Sequence, residues 1–277
     1  MEKKSCLMCG KNKDEVIHTF DSTHNPRIKD LKIVRCKSCG FAYMNPQLEL
    51  KELTTLYPQS LHESKRKSKL KFLKKYYERI RLKHVLKEAR KDSKNILDVG
   101  CSNGFFLELA KKKGMDIYGT EFGKKQVAYL RKHVTNNAYT SEKELIGKVK
   151  FDIITAFDVI EHLRNPEEFI RNCSKLLKKD GLLVIMTVVL DSWTYKVFKG
   201  RVMWIADQHL FYFTREQLAK LLKKYGLEIY KTKTYNKSLL HATQFVYQGL
   251  IKKRFSFADE IIFFIKPKNA SRGKHTR

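Results

Sequence analysis

The sequence predicts an α/β fold in which helices cover both faces of a parallel sheet, preceded by a small cysteine-rich module and a basic helical connector. Three observations predict it. From Lys94 onward, short apolar and β-branched runs alternate with helix-patterned stretches, the order expected of βαβ units with strands buried on both sides. Ahead of them stand two Cys-x-x-Cys-Gly knuckles. Between the two regions lies a Lys-rich stretch without Gly or Pro. The chain has 277 residues, 42% hydrophobic and 31% charged, with a net charge of +28. That mixture excludes collagen-like and wholly disordered classes, and the length suffices for one large core plus a small satellite. The longest apolar run, Gly181 to Leu190, is half of the ~20 residues that a membrane span needs. With no apolar segment in residues 1–16, the expectation is a soluble, cytoplasmic protein without a secretion signal.

The first element, residues 1–45, contains Cys6-Leu-Met-Cys9-Gly10 and Cys36-Lys-Ser-Cys39-Gly40. A two-residue gap lets the chain bend around one ion with both thiolates inward, and two such knuckles supply the four ligands of a tetrahedral site. Cys6, Cys9, Cys36 and Cys39 are therefore the candidate metal ligands, in a ribbon too small to fold on its own core. Zinc is the default ion, with iron not excluded by the spacing. Such a closed site is structural, because no coordination position is left for a substrate. Disulfides conflict with the expected reducing compartment, and a redox motif would need one such pair beside a βαβ unit. Cys101 and Cys173 read as packing residues.

The second element is the connector, residues 46–93. Its segment 61–91 holds 13 basic and 3 acidic residues and sets Leu70, Leu73, Tyr77 and Ile80 at helical spacing. It is predicted to be a basic amphipathic helix. Its charge admits two interpretations, a solvated Lys-rich connector or a face for RNA or anionic lipid.

The third element, residues 94–266, begins with the strand Asn95–Val99. A helix at Phe105–Lys113 follows, then a strand at Met115–Thr120, a helix at Lys124–His133 and a strand at Phe151–Phe157. Pro166–Lys178 is a helix with Pro at a tolerated first position, and Leu182–Val189 is a buried strand. Thr214–Tyr225 is a helix. Leu227–Thr234 and Glu260–Lys266 are strands, with a helix between them at Leu239–Lys252. Residues 267–277 form a basic tail.

The chemistry concentrates at Asp98-Val-Gly100-Cys-Ser102-Asn-Gly104, a strand-to-helix turn at the carboxyl end of a parallel strand, where such folds bind ligands. Glu121, at the end of the next strand and 21 residues after Gly100, is placed to accept hydrogen bonds from ribose hydroxyls. The dinucleotide fingerprint is not met, because Ser stands at 102. A P-loop is excluded, because Phe-Phe follows Gly104.

Residues Ile96–Leu107, Glu121 and Phe151-Asp-Ile-Ile-Thr-Ala-Phe-Asp-Val-Ile-Glu-His-Leu163 resemble class I S-adenosylmethionine-dependent methyltransferases. The branch resembled contains ubiquinone-biosynthesis O-methyltransferases and sugar or glycan methyltransferases. The resemblance covers residues 94–235 and implies a Rossmann-like sheet of seven strands ending in an antiparallel hairpin. It implies that Asp98, Gly100, Ser102 and Gly104 line the methionine and backbone pocket. By the same carry-over Glu121 holds the ribose, Phe122 contacts the adenine side and Asp158 lies near the methionyl end.

Methyl transfer is mostly alignment, but an oxygen acceptor also loses a proton, and histidine is the usual base. His162, just after the fourth strand, and His209, ahead of the Thr214–Tyr225 helix, are the candidate catalytic residues. His162 could instead cap its strand, and His209 could be a packed core residue. The segment Trp204-Ile-Ala-Asp-Gln-His-Leu-Phe-Tyr-Phe213 resembles the His-centred segment of sugar C-methyltransferases, which also carry a four-cysteine zinc module. Ala206 and Gln208 stand where that pattern has an aromatic and an acid, which favours O-methylation.

Three functions follow. The first is O-methylation of a small molecule or sugar, nucleotide- or lipid-linked, with phosphates or an anionic membrane leaflet answering the basic surface. The second is methylation of RNA, against which stand the cysteine spacing, the missing Asn/Asp-Pro-Pro-aromatic tetrapeptide and the missing aromatic-interleaved basic stripe. The third is a non-catalytic zinc-binding scaffold. Oligomeric state is not legible.

Overall fold

The computed structural model describes residues 1–20, 31–49, 71–192, 195–196, 208–236 and 259–269. The expected helix at 239–252, the tail beyond 269 and Leu70 of the connector stripe lie outside the described residues.

The larger sheet contains β4 (Asn95–Val99), β5 (Asp116–Thr120), β6 (Ala138–Tyr139), β7 (Phe151–Phe157), β8 (Leu177–Val188), β10 (Leu227–Asn236) and β11 (Asp259–Pro267). Their order is β10-β11-β8-β7-β4-β5-β6. The five strands from β8 to β6 are parallel, and β11 lies antiparallel between β8 and β10. This is the seven-stranded Rossmann-like sheet with its closing hairpin. The order reverses between β4 and β7, and a crevice forms at the carboxyl ends of strands at such a switch.

Alternate residues of the strands feed two cores. Leu97, Ile154, Leu183 and Phe263 face one side, with α4 (Pro166–Leu176) and α5 (Arg215–Lys223). Ile96, Ile153, Val184 and Phe264 face the other, with α1 (Lys71–Glu88), α2 (Phe105–Lys111) and α3 (Lys124–His133). Each strand is therefore buried on both faces, which is why these segments read as apolar runs.

Several boundaries shift by one or two residues from expectation, and the largest shift lies where α4 meets β8. The helix from Pro166 stops at Leu176 rather than Lys178, and β8 starts at Leu177 rather than Leu182. Leu177 already pairs with Phe151, and residues 178–181, where Lys178, Lys179 and Gly181 look like a helix end and turn, bulge out of register before pairing resumes between Leu182 and Ile153.

Of the predicted connector stripe, Tyr77 is buried in the second core and Ile80 packs partly buried against it, and Leu82, Val85 and Ala89 continue the buried face. The front module contributes β1 (Asp14–Thr19), β2 (Lys32–Cys36) and β3 (Ala42–Met44). A fourth strand joins them from far along the chain. The two residues of β9 (Phe211–Tyr212) pair antiparallel with Tyr43 and Ala42, completing a sheet of order β1-β2-β3-β9. Phe41, Tyr43, Phe211 and Phe213 fill the joint, with Phe41 5.2 Å from Phe213 between ring centroids. Module and sheet thus share one continuous core. No helix among the described residues is long and apolar enough to cross a membrane.

Candidate functional site

The turn after β4 is tight. Gly100, Ser102 and Gly104 all have positive φ, at 70°, 53° and 71°. A Cβ on Gly100 would sit 2.6 Å from Val159, and one on Gly104 2.9 Å from Val134, so both positions need glycine twice over. Glu121 ties the turn to β5: its carboxylate accepts the Ser102 N–H at 2.8 Å and the Phe122 N–H at 3.2 Å. Gln126 from α3 donates to the Ser102 carbonyl at 2.8 Å. These bonds fix the carboxylate beside the loop, with the exposed Phe122 ring next to it.

Asp98 is buried beneath the turn and accepts the Thr155 hydroxyl at 2.7 Å. Burial pushes its pKa up to about 8, the Thr155 bond opposing and Glu78 adding to the rise. Asp158, at the end of β7, has φ of 58°, a left-handed conformation that Asp tolerates better than most residues. Its carboxylate takes the guanidinium of Arg81 at 2.9 Å.

Arg81 is the functional candidate that sequence reasoning missed. It enters from α1, bonds Glu78 at 3.3 Å, and lies 4.9 Å from the Phe157 ring centroid and 5.9 Å from that of Tyr235. Burial opposes its charge, but Glu78, Asp158 and Glu260 more than offset that and raise its pKa. The signal was the four-residue step Tyr77, Arg81, Val85, Ala89, which puts Arg81 on the buried stripe.

The second half of the site lies past β7. The single 3-10 turn Ile160–His162 presents Glu161 and His162. Glu161 is buried, one of its carboxylate oxygens has no hydrogen-bond partner among the described residues, and burial together with Asp158 pushes its pKa up to about 8. His162 Nδ1 lies 2.9 Å from the Gln208 carbonyl oxygen, so that nitrogen carries the hydrogen and Nε2 is left as an acceptor. Burial lowers the pKa of His162, favouring this neutral form. The His209 ring packs edge-on against it, 4.6 Å between centroids. The structure thus brings together the two histidines, 47 positions apart in sequence. Glu161, His162 and His209 offer ligand atoms within 4.8 Å of one another, a donor set that suits an acid–base group or a divalent ion.

His209 is held by backbone. Leu210 donates its N–H to the Glu161 carbonyl at 2.8 Å and accepts the Met44 N–H at 2.9 Å. The front module therefore grips the segment that carries the histidine.

In that module the four sulfurs cluster as the spacing requires, with Cys6 and Cys39 3.4 Å apart and Cys9 and Cys36 3.6 Å apart. These are free thiols, too far apart for disulfides. A tetrahedral Zn–S4 centre with bonds of about 2.3 Å separates its sulfurs by roughly 3.8 Å, so the cluster fits zinc. The knuckles are near copies: Gly10 donates to the Cys6 carbonyl and Gly40 to that of Cys36, each at 2.8 Å.

A model of the methyltransferase domain family matches residues 69–232. The chain is 29% identical over 116 residues to a ubiquinone biosynthesis O-methyltransferase of Coxiella burnetii (strain RSA 493 / Nine Mile phase I), covering 39% of this chain and 50% of that protein. It is 31% identical over 122 residues to the protein of that name from Pelagibacter ubique (strain HTCC1062), covering 40% and 51%. The chain thus spans about half the length of the curated relatives it matches. Among solved structures, a SAM dependent methyltransferase from Archaeoglobus fulgidus aligns with a TM-score of 0.52 at 18% identity, covering 76% of this chain and 100% of that one. At such identity the likeness is one of fold.

Proposed function

The chain belongs to the methyltransferase domain family and carries the class I fold of S-adenosylmethionine-dependent methyltransferases; on that premise we propose that it O-methylates a small-molecule acceptor, sugars and glycans included. One observation carries the choice of oxygen: the His162–His209 pair stands at the carboxyl end of β7, beside the turn that receives the cofactor. The donor set suits the cofactor. Glu121 is oriented to accept from ribose hydroxyls, and Phe122 offers an apolar face beside it. Arg81 and the Asp158 carboxylate paired with it offer charges of both signs to the ligand, while Asp98 and Glu161, pushed up to about 8 by burial, are neutral acids near pH 7 and offer hydrogen-bond donors. S-adenosylmethionine, when bound, supplies a methyl group activated on a sulfonium.

His209 takes the proton of the acceptor hydroxyl as the oxygen gains its methyl group. His162, neutral and oriented through the Gln208 carbonyl, holds the His209 ring in place. Cys6, Cys9, Cys36 and Cys39 would hold zinc in a closed structural site, bracing the module whose β3 pairs with β9.

Methyl-labelled cofactor incubated with the full chain against sugar-nucleotide, lipid-linked, phenolic and RNA pools tests the whole reading. Label is expected in base-stable ether linkage on a small molecule. Transfer to RNA alone, or to carbon, would sink it.

A further inference from the structure

A cleft of about 620 Å³ opens between the four-cysteine module and the catalytic domain. Resting on the methyltransferase reading, we propose that this cleft is the subsite for the oxyanion-bearing part, phosphate or carboxylate, of the methyl acceptor.

The lining argues for an anion. Arg35 enters from β2; one terminal nitrogen reaches the Tyr195 hydroxyl at a long 3.4 Å, and its Nε is buried with no hydrogen-bond partner among the described residues. A guanidinium carries five donors in a fixed fork that matches carboxylate and phosphate oxygens, and leaving such a donor buried and unmade is costly. Lys196 and His18 line the same space. The acid there, Asp191, is already engaged by Arg215, through its backbone N–H at 3.3 Å and its side chain at 3.5 Å. Among the described residues no carboxylate pairs with Arg35 or Lys196, so the described lining carries an excess of positive charge.

Position and size argue for the acceptor. Ile33 and Leu190 give the cleft an apolar floor, and its volume falls within the range of small-molecule sites. Tyr212 belongs both to the cleft wall and to the surroundings of His209, with 6.0 Å between the two ring centroids. A ligand anchored on Arg35 is thus separated from the histidine pair by one buried side chain, Tyr212. The opposite wall comes from the module, including Gly40 directly after the last cysteine of the second knuckle. On this assignment the module selects the acceptor as well as bracing His209.

The test is calorimetric titration of inorganic pyrophosphate and, in parallel, citrate into the full zinc-loaded chain at fixed ionic strength. Saturable binding of at least one is expected, tenfold or more weaker in Arg35→Gln, several-fold weaker in the exposed-site variant Lys196→Gln, and unchanged in Lys132→Gln on a distant groove. Pyrophosphate alone would assign a phosphate-bearing acceptor, citrate alone a carboxylate. Absence of binding, or equal binding in wild type, Arg35→Gln and Lys196→Gln, would overturn the subsite. Cofactor affinity measured on the same samples separates the two claims: a chain that binds oxyanion but no S-adenosylmethionine overturns the methyltransferase reading beneath it.

Discussion

The two halves of the site are built in opposite ways. The proposed cofactor half is local: Asp98, Gly100, Ser102, Gly104 and Glu121 fall within 24 consecutive residues, and Glu121 and Gln126 both bond Ser102 across a single βαβ unit. The proposed acceptor half is assembled from three distant segments. The 3-10 turn after β7 gives Glu161 and His162, the strand near residue 211 brings His209, and the front module clamps both by pairing β3 with β9. A local site follows from one folded unit, whereas an assembled site depends on every contact that joins its parts. The halves should therefore fail separately.

Metal removal should give the largest separation. Zinc on four thiolates contributes apparent folding free energy on the order of 10–16 kcal/mol to such small modules. Without it, β3 loses its support and β9 its partner. Cys36→Ser, or treatment with a strong chelator, is expected to abolish turnover while cofactor affinity changes less than about threefold. Parallel measurement of methyl transfer and cofactor titration checks this. If cofactor binding collapses too, the halves are one cooperative unit.

Removing the base alone should cost less. His209→Ala leaves the β3–β9 pairing and the cofactor loop intact, so the expected loss in kcat is roughly 10²- to 10⁴-fold, the range of general-base catalysis. Cofactor affinity should hold. The pH–rate profile should lose its acidic limb, a signature that a merely structural histidine would not give. Full activity in this variant would remove His209 from the chemistry.

How far each half was legible follows from the same contrast. The Asp98–Gly104 turn and Glu121 are a short-range pattern, and the strand order follows from alternating element types, so both could be read from the sequence. The four cysteines were legible for the same reason, two local knuckles of equal spacing. The β3–β9 pairing was not. Its strands are two and three residues long, about 170 positions apart, and too short to carry any periodicity. Arg81 hid because a buried arginine is rare without partners, and those partners, Glu78 and Asp158, come from two different elements. The early end of α4 was hidden by Lys178, Lys179 and Gly181, which bulge out of register between the paired Leu177 and Leu182 and leave no strand-like alternation to read.

The last effect is read on stability rather than on turnover, and it sets one buried carboxyl from each half side by side. Asp98 has its folded pKa raised from 3.8 to about 8, and Glu161 from 4.5 to about 8. Between the unfolded and folded values the native chain holds more protons than the unfolded one, so stability falls as pH rises. The loss begins near pH 4, continues to about pH 8, and is at most about 1.4 kcal/mol per pH unit for each group. Asp98→Asn keeps an oxygen to accept the Thr155 hydroxyl and cannot ionise, so its share of the slope should vanish. Glu161→Gln should remove the other share. Urea denaturation of ligand-free protein at pH 5, 6.5 and 8 measures both. Equal flattening would show that the halves carry comparable buried charge. A slope in Asp98→Asn identical to wild type would mean that Asp98 is already ionised, paired closely enough with Arg81 to stay charged beneath the turn.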